Sequence, residues 1–200
     1  MNDMTEKPDS REAILEAASK RILHYGYNKT TISEIAADCG MSAGNIYRFF
    51  PSKLDIAEAM ARDWDVDSNA RFDRIVQDAS LTPMEKLKKY FSERFELVYA
   101  RYKEHPKLSE LAEFIGRERP DYVQERLALE RKHIGMMLEE GVAAGEIVLP
   151  YDTETTADVI QCAMSRFQAP FFFEKKTHEM FQFELEGVLH LLLHGLETRE

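Results

Sequence analysis

The residues best suited to chemistry cluster near the N-terminus. From Thr31 to Lys53 the chain reads TISEIAADCGMSAGNIYRFFPSK, in which Asn45 and Arg48 carry donors and acceptors that match base edges in a DNA major groove. Tyr47 and Lys53 offer a hydroxyl and a cation for phosphate oxygens, and Thr31, opening a short helix, adds a hydroxyl beside exposed N–H groups. Ser42, Ala43 and Gly44 are small, so the start of the helix bearing Asn45 can approach a duplex closely. Catalytic patterns are missing from the sequence. It has no Gly-rich phosphate loop, no G-x-S-x-G and no H-E-x-x-H, and its carboxylates alternate with Lys and Arg as on solvated helix faces, so no enzyme and no cofactor is expected. His190 and His194 have the spacing of two metal ligands, but no Cys or carboxylate stands at matching positions; no metal site is expected, and titration at an interface is the other chemistry this pair offers. Cys39 and Cys162 lack a C-x-x-C partner and read as small buried hydrophobes.

Short, capped helices must position the N-terminal set. Asp9 with Glu12 has capping-box spacing, and Ile14, Ala18, Ile22 and Tyr25 recur at helical intervals, predicting a first helix over about residues 10 to 25. Thr31 with Glu34 repeats the box, Ile32, Ile35, Ala36 and Cys39 give an apolar face, and Gly40 supplies the stop and the turn. Ser42 caps a third helix whose Ile46 and Phe49 face inward with Met41, and Pro51-Ser52 with Asp55 starts a fourth that reaches about Ser68. Beyond it, helical patterns cover about 84 to 105, 107 to 117, 121 to 144, 153 to 174 and 178 to 197. The expected fold is all-α with about nine helices: a three-helix helix-turn-helix DNA-binding domain over 1–55, and a larger helical domain over 56–200, linked by helix 4 at about 53–68.

Charge follows the same division. The net charge is -10, yet Ser19 to Leu54 sums to +3 and the remainder to -13, so a basic head is carried on an acidic body that repels nucleic acid. No signal-peptide core and no run of about 20 apolar residues is present, so a cytoplasmic protein with no membrane partner is expected.

The N-terminal 60 residues resemble the DNA-binding domain of the tetracycline-repressor (TetR) family. The resemblance is carried by the T-x-x-x-I-A of Thr31, Ile35 and Ala36, the G-x-S-x-G-x-I-Y of Gly40, Ser42, Gly44, Ile46 and Tyr47, and the F-P-S-K of Phe50 to Lys53. It implies a homodimeric regulator, a repressor released from a near-palindromic double-stranded DNA operator when a small-molecule effector shifts helix 4. One departure is Phe49, where similar members often carry His or Tyr.

For the remaining chain, residues 56–200, the resemblance implies a ligand-binding and dimerisation domain. The last helix has a wider apolar sector than one core-facing stripe needs, so Phe183, Val188 and Leu192 are expected at a homodimer interface with Val159 and Ala163 of the preceding helix. Pockets are mostly apolar with a few convergent polar groups, which nominates Phe91, Phe95, Tyr99, Phe114, Met136, Met137, Met164 and Phe167. Arg117, His133, Arg166 and Gln168 are the polar candidates, and the Phe171 to Phe173 run reads as packing. The acidic surface leaves one alternative function, a non-catalytic helical protein–protein adaptor.

Overall fold

The computed structural model describes residues 10–197, so the Asp9 cap lies outside the described residues. Among the described residues there are nine α-helices and no strands: α1 (Ser10–Tyr25), α2 (Ile32–Asp38), α3 (Ala43–Ile46), α4 (Lys53–Val76), α5 (Pro83–Glu104), α6 (Leu108–Glu118), α7 (Pro120–Ala143), α8 (Thr153–Met164) and α9 (His178–Leu196). Two 3-10 turns, Ser165–Gln168 and Pro170–Lys175, separate α8 from α9.

Several helices begin where side chains satisfy free N–H groups. Thr31 and Glu34 form a full capping box on α2, Asp152 caps α8 by accepting from the Thr155 N–H at 2.8 Å, and Thr177 caps α9. Two helices end in the paired backbone bonds that a left-handed glycine permits. Gly40, at φ 64, lets the Met41 N–H reach the Ala36 carbonyl at 2.8 Å, and Gly145, at φ 73, lets the Glu146 N–H reach the Gly141 carbonyl at 2.9 Å.

Three boundaries differ from the sequence reading, each for a local reason. Helix α4 continues past Ser68 to Val76, because Phe72, Ile75 and Val76 keep buried positions at helical spacing. Helix α8 stops at Met164 rather than near 174: Pro170 disfavours helical geometry at the residue before it, and Ala169 is extended at φ -111 and ψ 104. Helix α3 is a single turn ending at Ile46, after which the Phe49 N–H donates to the Ile46 carbonyl at 2.9 Å, a tighter spacing than the α-helix. That tightening corrects the expected facing. Phe49 turns outward and is 40% exposed, while Phe50 is buried with Ile46.

Contacts divide the chain into two units that do not coincide with a cut at residue 55. One runs to Val66 and takes in His105–Arg119; the other holds Asp67–Glu104 and the chain from Pro120. In the first unit, α1 packs on α2 and α2 on α3, with Ile14, Ala18, Ile22, Ile35, Ile46, Ile56 and Met60 buried. In the second, α5 packs on α7 and α9, and α7 on α8, around an aromatic core that includes Tyr90, Phe91, Phe95, Phe167, Phe173 and Phe181. Gly141 of α7 is needed for close approach there, since a Cβ would stand 2.3 Å from Ile147 Cδ1.

Candidate nucleic-acid interface and effector site

The Thr31–Lys53 segment presents one polar strip on a rigid, capped turn. Thr31 Oγ1 accepts from the Glu34 N–H at 3.3 Å and donates to Glu34 Oε2 at 2.7 Å, and the Thr31 N–H donates to the same oxygen at 2.9 Å. These bonds, the hydroxyl's first, hold the Glu34 carboxyl below its ordinary range. Ser42 Oγ accepts from the Asn45 N–H at 3.2 Å and starts α3. With α2 and α3 fixed in this way, Ser42, Gly44, Tyr47 and Arg48 are exposed, Ala43 and Asn45 are half-buried, and Tyr47 is 54% exposed. A Cβ on Gly44 would meet nothing nearer than Ser42 Oγ at 3.9 Å, so its small size matters to what approaches from outside.

The cations around this strip differ in how far they are committed. Lys53 Nζ donates to the Tyr27 and Thr30 carbonyls, both at 2.8 Å, and lies 4.2 Å from the centre of the Tyr27 ring; burial pushes its ammonium pKa down. It therefore fixes the Tyr27–Thr30 turn, with at most one N–H left over. Arg21 is engaged by Asp38 and Glu34, and Lys20 by Glu16 at 2.6 Å. Arg48 and Lys29 are exposed.

Helix α6 belongs to this first unit. The Asn28 N–H donates to Glu110 Oε1 at 3.0 Å, Phe114 packs on Tyr27 with ring centres 4.6 Å apart, and Arg119 donates to Asp55 and Glu58, both at 2.7 Å. Of the predicted effector residues, Phe114 and Arg117 thus lie in the first unit, and Arg117 is exposed and bonded to its neighbour Glu118. The other ten in the expected set fall in the second unit.

There, Phe91, Phe95, Tyr99, Met137, Met164 and Phe167 share one buried cluster, while Met136 is 44% exposed. His133 and Gln168 are members of a polar chain inside it. His133 Nε2 is 2.9 Å from Asp73 Oδ1, and its Nδ1 is 3.1 Å from the Tyr90 hydroxyl. Burial lowers the His133 pKa, partly opposed by the Asp73 carboxylate, and burial raises the Tyr90 phenol. Arg94 Nη1 reaches the Tyr90 hydroxyl at 3.5 Å, and the guanidinium carbon stands over Phe72, 4.8 Å from the ring centre. Gln168 Oε1 accepts from Arg94 at 2.9 and 3.1 Å, and Gln168 Nε2 donates to Glu130 Oε1 at 2.7 Å. A cavity of about 170 Å³ opens on this cluster, lined also by Val123, Leu127 and Gln161. A shallower cleft of about 540 Å³ lies along Tyr99, Tyr102, Phe173 and the start of α9.

Arg94, Glu130, Tyr90 and Asp73 escaped the sequence reading. A signal existed for the first three: Tyr90 and Arg94 keep helical register with Leu87 and Phe91 on α5, and Glu130 and His133 with Ile134 and Met137 on α7. Polar groups on an apolar stripe point to an internal network. Arg166, by contrast, is exposed and 3.5 Å from Glu184.

The expected interface residues are largely uncovered. Phe183 is 78% and Val159 48% exposed, Ala163 is exposed, and Val188 and Leu192 are half-buried. Leu191, 74% exposed, extends the same apolar display. Cys162 joins Val159 and Ala163 on the outer face of α8 and is exposed, and Cys39 is half-buried, so neither is the fully buried thiol expected. In the aromatic run Phe173 is buried and Phe172 is 40% exposed; nothing is described of the Phe171 side chain. The His190 and His194 rings stack 5.9 Å apart, and His194 Nδ1 is 2.9 Å from Glu197, a carboxylate the spacing argument overlooked. Among the described residues no group of three or more His, Cys, Asp or Glu is placed to hold a metal ion. No helix among them is long and apolar enough to cross a membrane.

Residues 14–60 match the family model "Bacterial regulatory proteins, tetR family", and residues 83–189 match "Tetracyclin repressor-like, C-terminal domain". The HTH-type transcriptional repressor KstR2 of Mycolicibacterium smegmatis is 31% identical over 151 residues, covering 72% of this chain and 70% of that protein. Among solved structures, the fatty acid degradation regulator FadR from Bacillus halodurans aligns with a TM-score of 0.72 at 22% identity over 98% of this chain and 100% of its own. FadR from Bacillus subtilis in complex with stearoyl-CoA gives 0.71 at 23% identity, covering 92% and 97%.

Proposed function

The chain belongs to the tetR family of bacterial regulatory proteins, regulators of transcription rather than enzymes, and from that premise we propose how its own residues divide the work. Tyr47 and the N–H groups at the start of α2, where Thr31 sits, grip phosphates. Arg48 and Asn45 read base edges, and Ser42, Ala43 and Gly44 admit the duplex closely. Lys53 contributes mainly by holding the Tyr27–Thr30 turn, with its remaining N–H directed to a phosphate. Two copies joined through Val159, Ala163, Phe183, Val188 and Leu192 place two such heads about 34 to 36 Å apart on a near-palindromic operator. A small-molecule effector bound in the second unit, among Phe91, Phe95, Tyr99, His133, Met137, Met164, Phe167 and Gln168, releases the DNA. A coupling of about 1 to 3 kcal/mol is enough for a 5- to 150-fold change in affinity.

The observation that carries this reading is the doubly fixed turn at Gly40, which leaves Tyr47 and Arg48 uncovered beside an open Gly44. The test is a gel shift of the full-length protein with the DNA flanking its own gene at moderate salt. Retention that survives unrelated competitor DNA is expected; a folded dimer with no sequence-selective binding overturns the reading.

A further inference from the structure

Gln168 occupies an unusual place for a glutamine. Its carboxamide stands between a guanidinium and a carboxylate, with Oε1 accepting from Arg94 at 2.9 and 3.1 Å and Nε2 donating to Glu130 Oε1 at 2.7 Å. With Gln168 between them the two charges meet only loosely, at a direct Arg94–Glu130 approach of 3.5 Å, long for a pair whose side chains are 12% and 2% exposed. Arg94 and Glu130 thus present a donor beside an acceptor at the spacing of one amide group. Both sit on long helices, α5 and α7, and are held there. Gln168 instead ends the first 3-10 turn and is followed by extended Ala169, so its side chain can swing away without breaking an α-helix. The cavity of about 170 Å³ opens where the carboxamide sits, and Val123 and Leu127 give it an apolar wall.

We propose that Arg94 and Glu130 form a carboxamide-recognition site, closed in this conformation by the chain's own Gln168, and that a compact ligand carrying a neutral amide displaces it. The ligand's carbonyl oxygen accepts from Arg94 and its N–H donates to Glu130. A carboxylate of the same shape offers no donor to Glu130 and sets two like charges together, so the site rejects it. Displacement frees the Ser165–Gln168 turn, the one element through which Gln168 is tied to α8. The inference deepens the effector reading above by naming the chemistry of one end of the ligand.

Benzamide and benzoate, matched in shape, are the probes, titrated into the full-length protein without DNA and followed by calorimetry and by the side-chain amide NMR signals. In Gln168→Ala, benzamide binds at least tenfold more tightly than in the unaltered protein and at least tenfold more tightly than benzoate, and adding Glu130→Gln removes that preference. In the unaltered protein, benzamide shifts the Gln168 side-chain NH₂ signal, assigned by through-bond correlation to its own backbone; this readout stands even where the variants fold poorly. Equal binding of the two probes by a folded Gln168→Ala protein, or an unmoved Gln168 signal at millimolar benzamide, overturns the proposal. Either result leaves operator binding intact, and a failed gel shift leaves amide binding measurable, so the two readings fail separately.

Discussion

The interior of the first unit is mainly aliphatic, with Ile14, Ala18, Ile22, Ile35, Ile46 and Ile56 buried beside the two rings of Tyr27 and Phe50, and the groups proposed to meet DNA, Tyr47 and Arg48, stand in solvent. In the second unit, rings fill the interior, and among them Arg94, Glu130 and His133 are almost or fully buried. A surface that meets DNA works by keeping charge hydrated until phosphates replace the water, so its polar residues need only a stiff platform. An interior that meets a small molecule must already hold polar groups out of water, and each must be satisfied by a neighbour until the ligand arrives. The exposed site depends on caps and turns; the internal one depends on a closed network.

Substitutions that break this contrast can be ranked. The largest effect is expected at Phe95, fully buried against Tyr99, Phe173, Phe181 and the stacked His178 ring. Phe95→Ala should cost about 3 to 5 kcal/mol in urea unfolding, and an effect below about 1 kcal/mol would mean that the aromatic core is not the strength of that unit. Next, Arg48→Ala should lose about 1 to 3 kcal/mol of operator affinity and relax sequence preference while leaving the melting temperature unchanged; gel shifts on point-mutated operators measure it, and uniform weakening across them would move Arg48 to the phosphates. Thr31→Ala removes the α2 cap and should destabilise by about 1 kcal/mol, with a parallel loss of DNA binding that stabilising osmolyte restores. Full stability with lost binding would instead make the hydroxyl a DNA contact. The smallest effect concerns pH. The His133 pKa is lowered below its usual 6.5, so folding favours the neutral ring; that stability is complete above the usual value and is lost as pH falls through the lowered one. Urea midpoints of the unaltered protein and His133→Gln, compared at pH 7.5 and 5.5, should converge at the lower pH, and parallel pH curves would show that His133 does not titrate against its surroundings.

The same contrast explains what was legible in the sequence. Capping residues, Gly40 and the Tyr47–Arg48 pair act on near neighbours, so spacing alone placed them on one turn. The facing of Phe49 failed because α3 tightens after Ile46, and a helical wheel assumes constant pitch. The Arg94–Gln168–Glu130 set joins residues 74 and 38 positions apart, and nothing local in any one of them announces the other two. For Arg94 and Glu130, only their position on apolar stripes hints at an interior role. Phe114 reads by its type as an effector-pocket residue, and its packing on Tyr27 is again a contact of long sequence range.

That contact bears on how the protein is made. The head is interrupted: the bed of Tyr27 is Phe114, and the partner of Asp55 and Glu58 is Arg119. As the chain leaves the ribosome, the described residues up to Val66 emerge before the surface that Phe114 and Arg119 cover is matched, and the head is complete only after residue 119 has been synthesised. A chimera that grafts this head onto another regulator by cutting after Val66 removes Phe114 and Arg119 with the discarded half. A graft that carries 105–119 as well keeps the DNA-binding unit whole.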